Sequence, residues 1–264
     1  AYLSRNLPPE RLNVVMGAYV SATVAGGLGG RLLGGWLHPP LHWRYAFVTA
    51  AVSLLGIGGM AVWRLPAGQP PRQANLSRVD FAGLLSQGPI LRLLLVPWGA
   101  FFVFSSLFNY LPFYLSRPPF QASTEIITMF YLTYLTGIVV GPLAGRLSNR
   151  FGNGRAMVLG TLVLLTAMFL TLVSSLLIIV LALIGVCLGF FTIHAAAVGA
   201  LNLRLQGGRG RANSLYVLFY YLGGSCGITA SGWTYHHWGW PGVLILGALI
   251  LGLPGGIGWL EWRR

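Results

Sequence analysis

The sequence predicts an all-α fold, a polytopic bundle of transmembrane helices. Hydrophobic residues make up 55% of the chain and charged residues 8%, whereas soluble domains carry about 25% charged residues. Eight long apolar segments each approach the roughly 20 residues that a helix needs to cross a bilayer. Fourteen of the seventeen arginines lie in alternate gaps between these segments, as expected of a chain that crosses a membrane repeatedly.

The predicted spans follow one another along the whole chain. They cover residues 13–37, 45–63, 93–115, 126–147, 156–174, 177–203, 212–235 and 241–260. The connection from Ser174 to Leu177 is so short that the fifth and sixth spans are expected to form an antiparallel hairpin.

The arginines also predict the orientation of the chain. Cytoplasmic loops retain arginine, so the arginine-rich gaps and the arginine-rich ends should lie in the cytoplasm. The intervening gaps hold only Arg44 and Arg117, and Arg31 alone lies more than two residues inside a span. Both ends of the chain are therefore expected on the cytoplasmic side.

The gap between the second and third spans divides the chain unequally. Residues 64–92 contain Pro66, Pro70, Pro71 and Pro89 and are predicted to be a cytoplasmic linker. Two spans precede it in residues 1–63 and six follow it in residues 93–264. The chain begins at Ala1 with a polar stretch, which suggests that it is cut from something longer.

Composition excludes several classes of function. The net charge is +13, but the arginines are dispersed over short loops, which favours contact with anionic lipid over nucleic acid. Cys187 and Cys226 lie in apolar spans, where cysteine behaves as a small hydrophobe. The sequence carries no enzyme signature, and it predicts neither a metal site nor a cofactor.

Glycines in the first span carry the first family resemblance. Their spacing is G-x8-G-x3-G-x3-G-G, at Gly17, Gly26, Gly30, Gly34 and Gly35. This resembles the antiporter motif in the fifth helix of drug-efflux members of the major facilitator superfamily. Arg31 stands where the family has proline, and it is expected either to snorkel to the outer interface or to take a structural or gating role.

The loop between the fourth and fifth spans carries the second resemblance. It is similar to the superfamily's cytoplasmic loop motif, G-x-L-x-D-R-x-G-R-R, at Gly145, Leu147, Arg150, Gly152 and Arg155. Asn149 replaces the acid of the motif. The family uses this loop as a conformational latch, so the resemblance implies a latch in which a hydrogen bond from Asn149 partly replaces a salt bridge.

A third stretch, residues 209–224, resembles the start of the eleventh helix of bacterial inner-membrane efflux members. Together the matches place the eight spans on helices five to twelve of a twelve-helix transporter. The resemblance implies a monomeric bacterial inner-membrane protein that exports a small molecule or drug, with protons as the coupling ion. A sugar or metabolite exporter and a non-transporting truncated remnant remain alternatives.

The polar residues within the spans are the candidates for substrate or proton handling. None of the four acids, Glu10, Asp80, Glu125 and Glu261, lies within a predicted span. His194 is therefore the leading ionisable candidate, because an unperturbed histidine titrates near pH 6.5. A neutral histidine hydrogen-bonded to a neighbouring helix is the alternative interpretation.

Four further side chains offer hydrogen bonds and ring faces to a ligand. They are Asn109 and Tyr110 in the third span and Tyr131 and Tyr134 in the fourth. Aromatic residues near helix ends also serve as interfacial anchors, so each of these remains open to both interpretations.

Overall fold

The computed structural model of the chain describes residues 25–37, 40–64, 80–205 and 208–263, and within them every long element is helical. In chain order the helices are α1 (25–37), α2 (Trp43–Arg64), α3 (Phe81–Leu85), α4 (Gly88–Leu115), α5 (Thr124–Phe130), α6 (Thr136–Phe151), α7 (Asn153–Leu170), α8 (Leu176–Arg204) and α9 (Arg209–Trp262). Six helical segments of the described chain are long and apolar enough to cross a membrane. The protein is an all-helical membrane bundle, as the composition predicts.

The chain divides into two compact units. The first comprises residues 1–75 and 123–132, and the second comprises residues 76–122 and 133–264. The described α-helices of the first unit are α1, α2 and α5, and the unit also includes the start of the 3₁₀ segment that follows α5. The side chains of α2 are almost all exposed, which suits a helix whose apolar surface faces lipid.

The short helix α3 and the start of α4 differ from the sequence prediction. The short helix α3 lies within the stretch predicted to be a linker. A helix forms there because the Asp80 carboxylate caps the first turn by accepting a hydrogen bond of 2.7 Å from the amide of Gly83. Helix α4 begins at Gly88, five residues before the predicted third span, and Pro89 stands in its first turn, where a missing N–H costs nothing.

The fourth predicted span is not one uniform α-helix. Ser123 caps α5, and a 3₁₀ segment, Tyr131–Leu135, joins α5 to α6. At the end of this segment the Thr136 hydroxyl donates a hydrogen bond of 2.6 Å to the carbonyl oxygen of Thr133. Such local side-chain bonds compete with regular helical pairing, and tightened 3₁₀ turns are common where helices meet.

The second unit is built around α4. Its side chains from Ile90 to Leu115 are largely buried, with Phe108 fully enclosed. Helices α7 and α8 pack as the predicted hairpin, with Gly160 and Gly189 facing each other so closely that a Cβ on either would press against the other's carbonyl oxygen. Small residues of this kind let helix backbones approach within a membrane.

The last helix, α9, is 54 residues long and breaks at Gly239. A straight helix of this length would measure about 81 Å, more than twice the hydrocarbon thickness of a bilayer. At Gly239 the backbone adopts φ 61° and ψ −153°, a conformation that glycine alone adopts readily. The break falls between the predicted spans 212–235 and 241–260, and it divides α9 into an N-terminal arm and a C-terminal arm.

Candidate functional site

His194 of α8 is paired with Tyr216 of α9. The Tyr216 hydroxyl lies 2.9 Å from Nδ1 of His194 and 3.3 Å from the carbonyl oxygen of the same histidine. A hydroxyl has one proton to donate and two lone pairs to accept with. It can therefore donate to Nδ1 of a neutral ring, or accept from a protonated Nδ1 while donating to the carbonyl oxygen. Either protonation state of His194 finds a partner here.

Aromatic rings surround this pair and form what we call the aromatic–His cluster. The Tyr220 ring stacks on Phe101 at 3.8 Å between centroids, and Phe104 stacks on Phe190 at 4.1 Å. The His194 ring lies 5.5 Å from Tyr220 and 6.0 Å from Phe190. The cluster consists of Phe101, Phe104, Tyr134, Phe190, His194, Tyr216 and Tyr220. It offers ring faces, tyrosine hydroxyls and one imidazole in the interior of the second unit.

The cluster includes two of the residues that the sequence singled out and excludes others. Tyr134 is buried with its ring 5.2 Å from Phe104, so it joins His194 through the phenylalanines. Asn109 donates a hydrogen bond of 2.7 Å to the carbonyl oxygen of Ser105 in its own helix. Tyr110 donates one of 3.0 Å to the carbonyl oxygen of Ile228. Asn109 and Tyr110 thus have partners outside the cluster.

Tyr131 belongs to the first unit, where it contacts Arg31. The Arg31 guanidinium lies 5.5 Å from the centre of the Tyr131 ring, within the range of a cation–π contact. Four residues further along α1, Gly35 lies against Thr128 of α5, so closely that a Cβ at Gly35 would overlap the threonine side chain. Helix α1 therefore meets α5 at Thr128 and the start of the 3₁₀ segment at Tyr131, through two contacts spaced one helical turn apart.

The other glycines of the antiporter-like motif have no such neighbour among the described residues. At Gly26, Gly30 and Gly34 an added Cβ would meet no described atom within 4 Å. Gly17 lies outside the described residues. The antiporter-like role of these four glycines remains a prediction.

Alanine at Gly35 should destabilise the contact between α1 and α5. The added methyl group forces Thr128 to move, which costs its hydrogen bond of 2.6 Å to the carbonyl oxygen of Thr124, worth about 1 kcal/mol. We expect Gly35→Ala to lower the midpoint of thermal unfolding in detergent, while Gly34→Ala leaves it unchanged or higher. Equal midpoints for the two variants would contradict this packing, and Thr128→Ala should partly restore Gly35→Ala.

The loop between α6 and α7 turns at Gly152. Its φ of 88° and ψ of 150° lie in a region that is essentially restricted to glycine. Gly154 follows and packs against the backbone of Glu261 and Trp262 at the end of α9. The Arg155 guanidinium lies 5.2 Å from the centre of the Trp262 ring. The loop is therefore held against the C-terminal arm of α9.

A carboxylate stands close to this loop, although the loop itself carries none. Glu261 forms an ion pair with Arg204 at the end of α8, and the Glu261 side chain is buried. Arg150, by contrast, lies over the ring of its neighbour Phe151. Asn149 lies in α6, but its side chain is outside the described part of the structure, so the predicted hydrogen bond remains a prediction.

The same residues surround a cavity of about 520 Å³. It is lined by Phe151, Gly152, Asn153, Gly154, Arg155, Ala200, Leu203, Arg204, Glu261 and Trp262. Its walls thus come from the loop, from the end of α8 and from the end of α9. Within the described residues, no three histidine, cysteine, aspartate or glutamate side chains gather as a metal site.

Valine at Gly152 should strain this loop without disturbing the spans. A β-branched residue held at φ 88° costs roughly 1–3 kcal/mol. We expect Gly152→Val in the complete protein to reach the membrane in normal amounts but to lose transport. Gly141→Val is the matched control, because Gly141 is helical, lies outside the loop motif, and an added Cβ there meets no described atom within 4 Å. Normal transport by Gly152→Val would show that the turn is not needed.

Long apolar helices, a polar aromatic cluster between them and arginine-rich helix ends together define a multi-pass membrane protein. The sequence profile of the Major Facilitator Superfamily matches residues 1–207 and again residues 119–263. The chain therefore belongs to the major facilitator superfamily, which is a family of membrane transporters and not of enzymes.

Similar proteins and structures agree with this assignment. The chain is 32% identical over 255 residues to the inner membrane transport protein YnfM of Escherichia coli (strain K12), covering 95% of this chain and 61% of that protein. It is 27% identical over 244 residues to the uncharacterized MFS-type transporter YybF of Bacillus subtilis (strain 168), covering 90% and 60%. The chain thus spans about 60% of the length of these relatives.

One solved structure shows the same fold. It is the crystal structure of a bacterial homologue of the human lysosomal transporter Spinster in an inward-facing, unoccupied conformation. The TM-score is 0.69 at 15% sequence identity, with 99% of this chain and 73% of that chain covered. At this identity the likeness concerns the fold alone.

Proposed function

We propose that the complete protein to which this chain belongs is a secondary active transporter that exports a small molecule or drug from a bacterial cell by proton-coupled alternating access. The observation that carries the proposal is the His194–Tyr216 pair within the aromatic–His cluster. Intramembrane ionisable residues commonly mark substrate or proton pathways. A pair that accommodates both protonation states of the imidazole suits a group that gains and loses a proton during transport.

The distribution of acidic residues supports the same role for His194. Of the acids that the structure describes, Asp80 caps α3, Glu125 lies in the first turn of α5 and Glu261 in the last turn of α9. None of these three lies in the middle of a span. Within the described chain His194 is therefore the ionisable side chain best placed to couple a proton to movement of a ligand.

The positions of the arginines support the proposed topology of eight spans with both chain ends in the cytoplasm. Arg64, Arg150 and Arg204 each lie in the last turn of their helices. Basic residues concentrate at the cytoplasmic ends of spans. In this proposal residues 1–63 are the last two helices of one bundle, residues 64–92 a cytoplasmic linker and residues 93–264 the other bundle, in a monomer within the inner membrane.

Transport would follow from rocking of two bundles about a site near the middle of the membrane. Ring faces of Phe101 and Tyr220 and the imidazole of His194 would contact the ligand. The Arg31–Tyr131 contact and the glycine-rich face of α1 would form part of a gate, and the loop at Gly152 would form the cytoplasmic latch.

The test uses the complete gene product in proteoliposomes that contain a pH-sensitive dye. Aromatic drugs, sugars and small metabolites are added in turn across an imposed proton gradient. We expect drug-like aromatic compounds to discharge the gradient in protein-containing vesicles and not in empty ones. Discharge by sugars or metabolites alone would favour the alternative exporter. If none of the compounds causes correctly inserted protein to discharge the gradient, that result would contradict the proposal and favour a non-transporting remnant.

A further inference from the structure

The cavity behind the α6–α7 loop contains charges that the transport proposal does not use. Three charged side chains line it, namely Arg155, Arg204 and Glu261. Because Arg204 and Glu261 form an ion pair, the lining carries a net charge of about +1, which comes from Arg155. The volume of about 520 Å³ falls within the roughly 300–1,000 Å³ typical of small-molecule sites.

The two arginines can hold an oxyanion together. A guanidinium offers five N–H donors in a planar fork that matches phosphate. The hydrogen bond that Arg204 donates to Glu261 uses one guanidinium nitrogen, Nη2. Arg155 is positioned by its contact with the Trp262 ring and borders the same cavity. Neighbouring Asn153 adds an amide to the lining.

The surroundings of the cavity indicate which oxyanion is available there. Trp259 and Trp262 lie in the last turn of α9, with their rings 4.9 Å apart and partly exposed. Tryptophan at helix ends marks the membrane–water interface. At that depth phospholipid phosphates are the abundant anions, and basic pockets between helices on the cytoplasmic side bind lipid headgroups.

We propose that this cavity binds the phosphate group of an anionic phospholipid from the inner leaflet. Arg155 and Arg204 contact the phosphate oxygens, and the acyl chains extend along the apolar surface beside Leu203 and Trp262. The site rests on the proposed cytoplasmic placement of the loop, but it does not depend on which molecule is transported. Lipid binding is measured without transport, so its failure and that of the transport proposal can be told apart.

The experiment places the complete protein in nanodiscs of phosphatidylcholine that contain a minor fraction of phosphatidylglycerol. After extraction, native mass spectrometry counts the phosphatidylglycerol retained by each protein molecule. We expect Arg155→Gln to reduce retention roughly tenfold or more, because a charge-assisted contact is lost. Arg263→Gln is the matched control, since Arg263 lies at the same helix end over Trp259 and does not line the cavity.

A second variant and a second probe complete the test. The double variant Arg204→Gln with Glu261→Gln removes the buried ion pair without leaving a lone charge, and it should reduce retention as Arg155→Gln does. Inorganic phosphate is added separately to protein in phosphatidylcholine alone, with thermal unfolding as the readout. Stabilisation by phosphate without retention of phosphatidylglycerol would overturn the lipid as the ligand. Equal retention by Arg155→Gln, Arg263→Gln and the unmodified protein would overturn the site altogether.

Discussion

Alanine at Gly223 or Gly227 should destabilise the second unit strongly. The two glycines lie one helical turn apart on α9, and a Cβ on either would overlap the backbone of α4 at Trp98 or Phe102. A backbone carbonyl cannot move aside as a flexible side chain can, so the helices must separate. Overpacking of this kind costs about 1–3 kcal/mol for each site. The double variant should be largely lost from the membrane fraction.

The measurement compares thermal unfolding of the single variants in detergent with that of Gly252→Ala. Gly252 lies in the same helix, and an added Cβ there would meet no described atom within 4 Å. Alanine is about 1 kcal/mol more favourable than glycine in a helix, so this control should be as stable as the unmodified protein or more so. If Gly227→Ala unfolds at the same temperature as the control, the close approach of α4 and α9 is wrong.

Glutamine at His194 should abolish the pH dependence of transport. Glutamine keeps a hydrogen bond to Tyr216, but unlike an imidazole it cannot gain a proton. We expect the maximal rate to fall roughly 10- to 150-fold, in line with about 1.5–3 kcal/mol for a hydrogen bond to a charged group. The rate that remains should be flat between pH 5 and 8. Tyr216→Phe, which removes the partner hydroxyl, should narrow the pH range over which transport is fast.

Thr192→Val is the control for this prediction. Thr192 lies on the same helix, and its hydroxyl donates a hydrogen bond of 2.7 Å to the carbonyl oxygen of Leu188 in that helix. Loss of this hydroxyl should leave the rate of transport and its pH profile unchanged. A His194→Gln protein with the wild-type pH profile and apparent affinity would show that His194 is a hydrogen-bonded packing residue, which is the alternative that the sequence left open.

The sequence predicts the helices well because their signal is local. Apolar length alone locates α4, α7 and α8 to within a few residues. The gap between residues 235 and 241 contains Gly239, where the backbone leaves the helix. The 3₁₀ segment at Tyr131 is not predicted, since a threonine-rich turn in an apolar stretch has no distinct hydropathy.

The contacts of the candidate site are harder to predict from the sequence. His194 stands out because it is polar in an apolar span, whereas Phe101, Phe104 and Phe190 are apolar residues among many others. Their stacking depends on how α4 and α8 cross, which no spacing within one helix encodes. The Arg204–Glu261 pair joins residues 57 positions apart, so the sequence of the loop alone does not predict the carboxylate near it.

The proposed transport role requires that the aromatic–His cluster borders a path through the membrane that water can reach, and thiol labelling tests this requirement most directly. In a complete protein with Cys187 and Cys226 replaced by serine, a single cysteine is placed at Tyr220, in the cluster, or at Leu181, an exposed apolar position on α8. We expect a membrane-impermeant maleimide to label the cysteine at 220 from either side of the membrane, whereas the cysteine at 181 stays unlabelled in lipid. Labelling at 181 with none at 220 would contradict it.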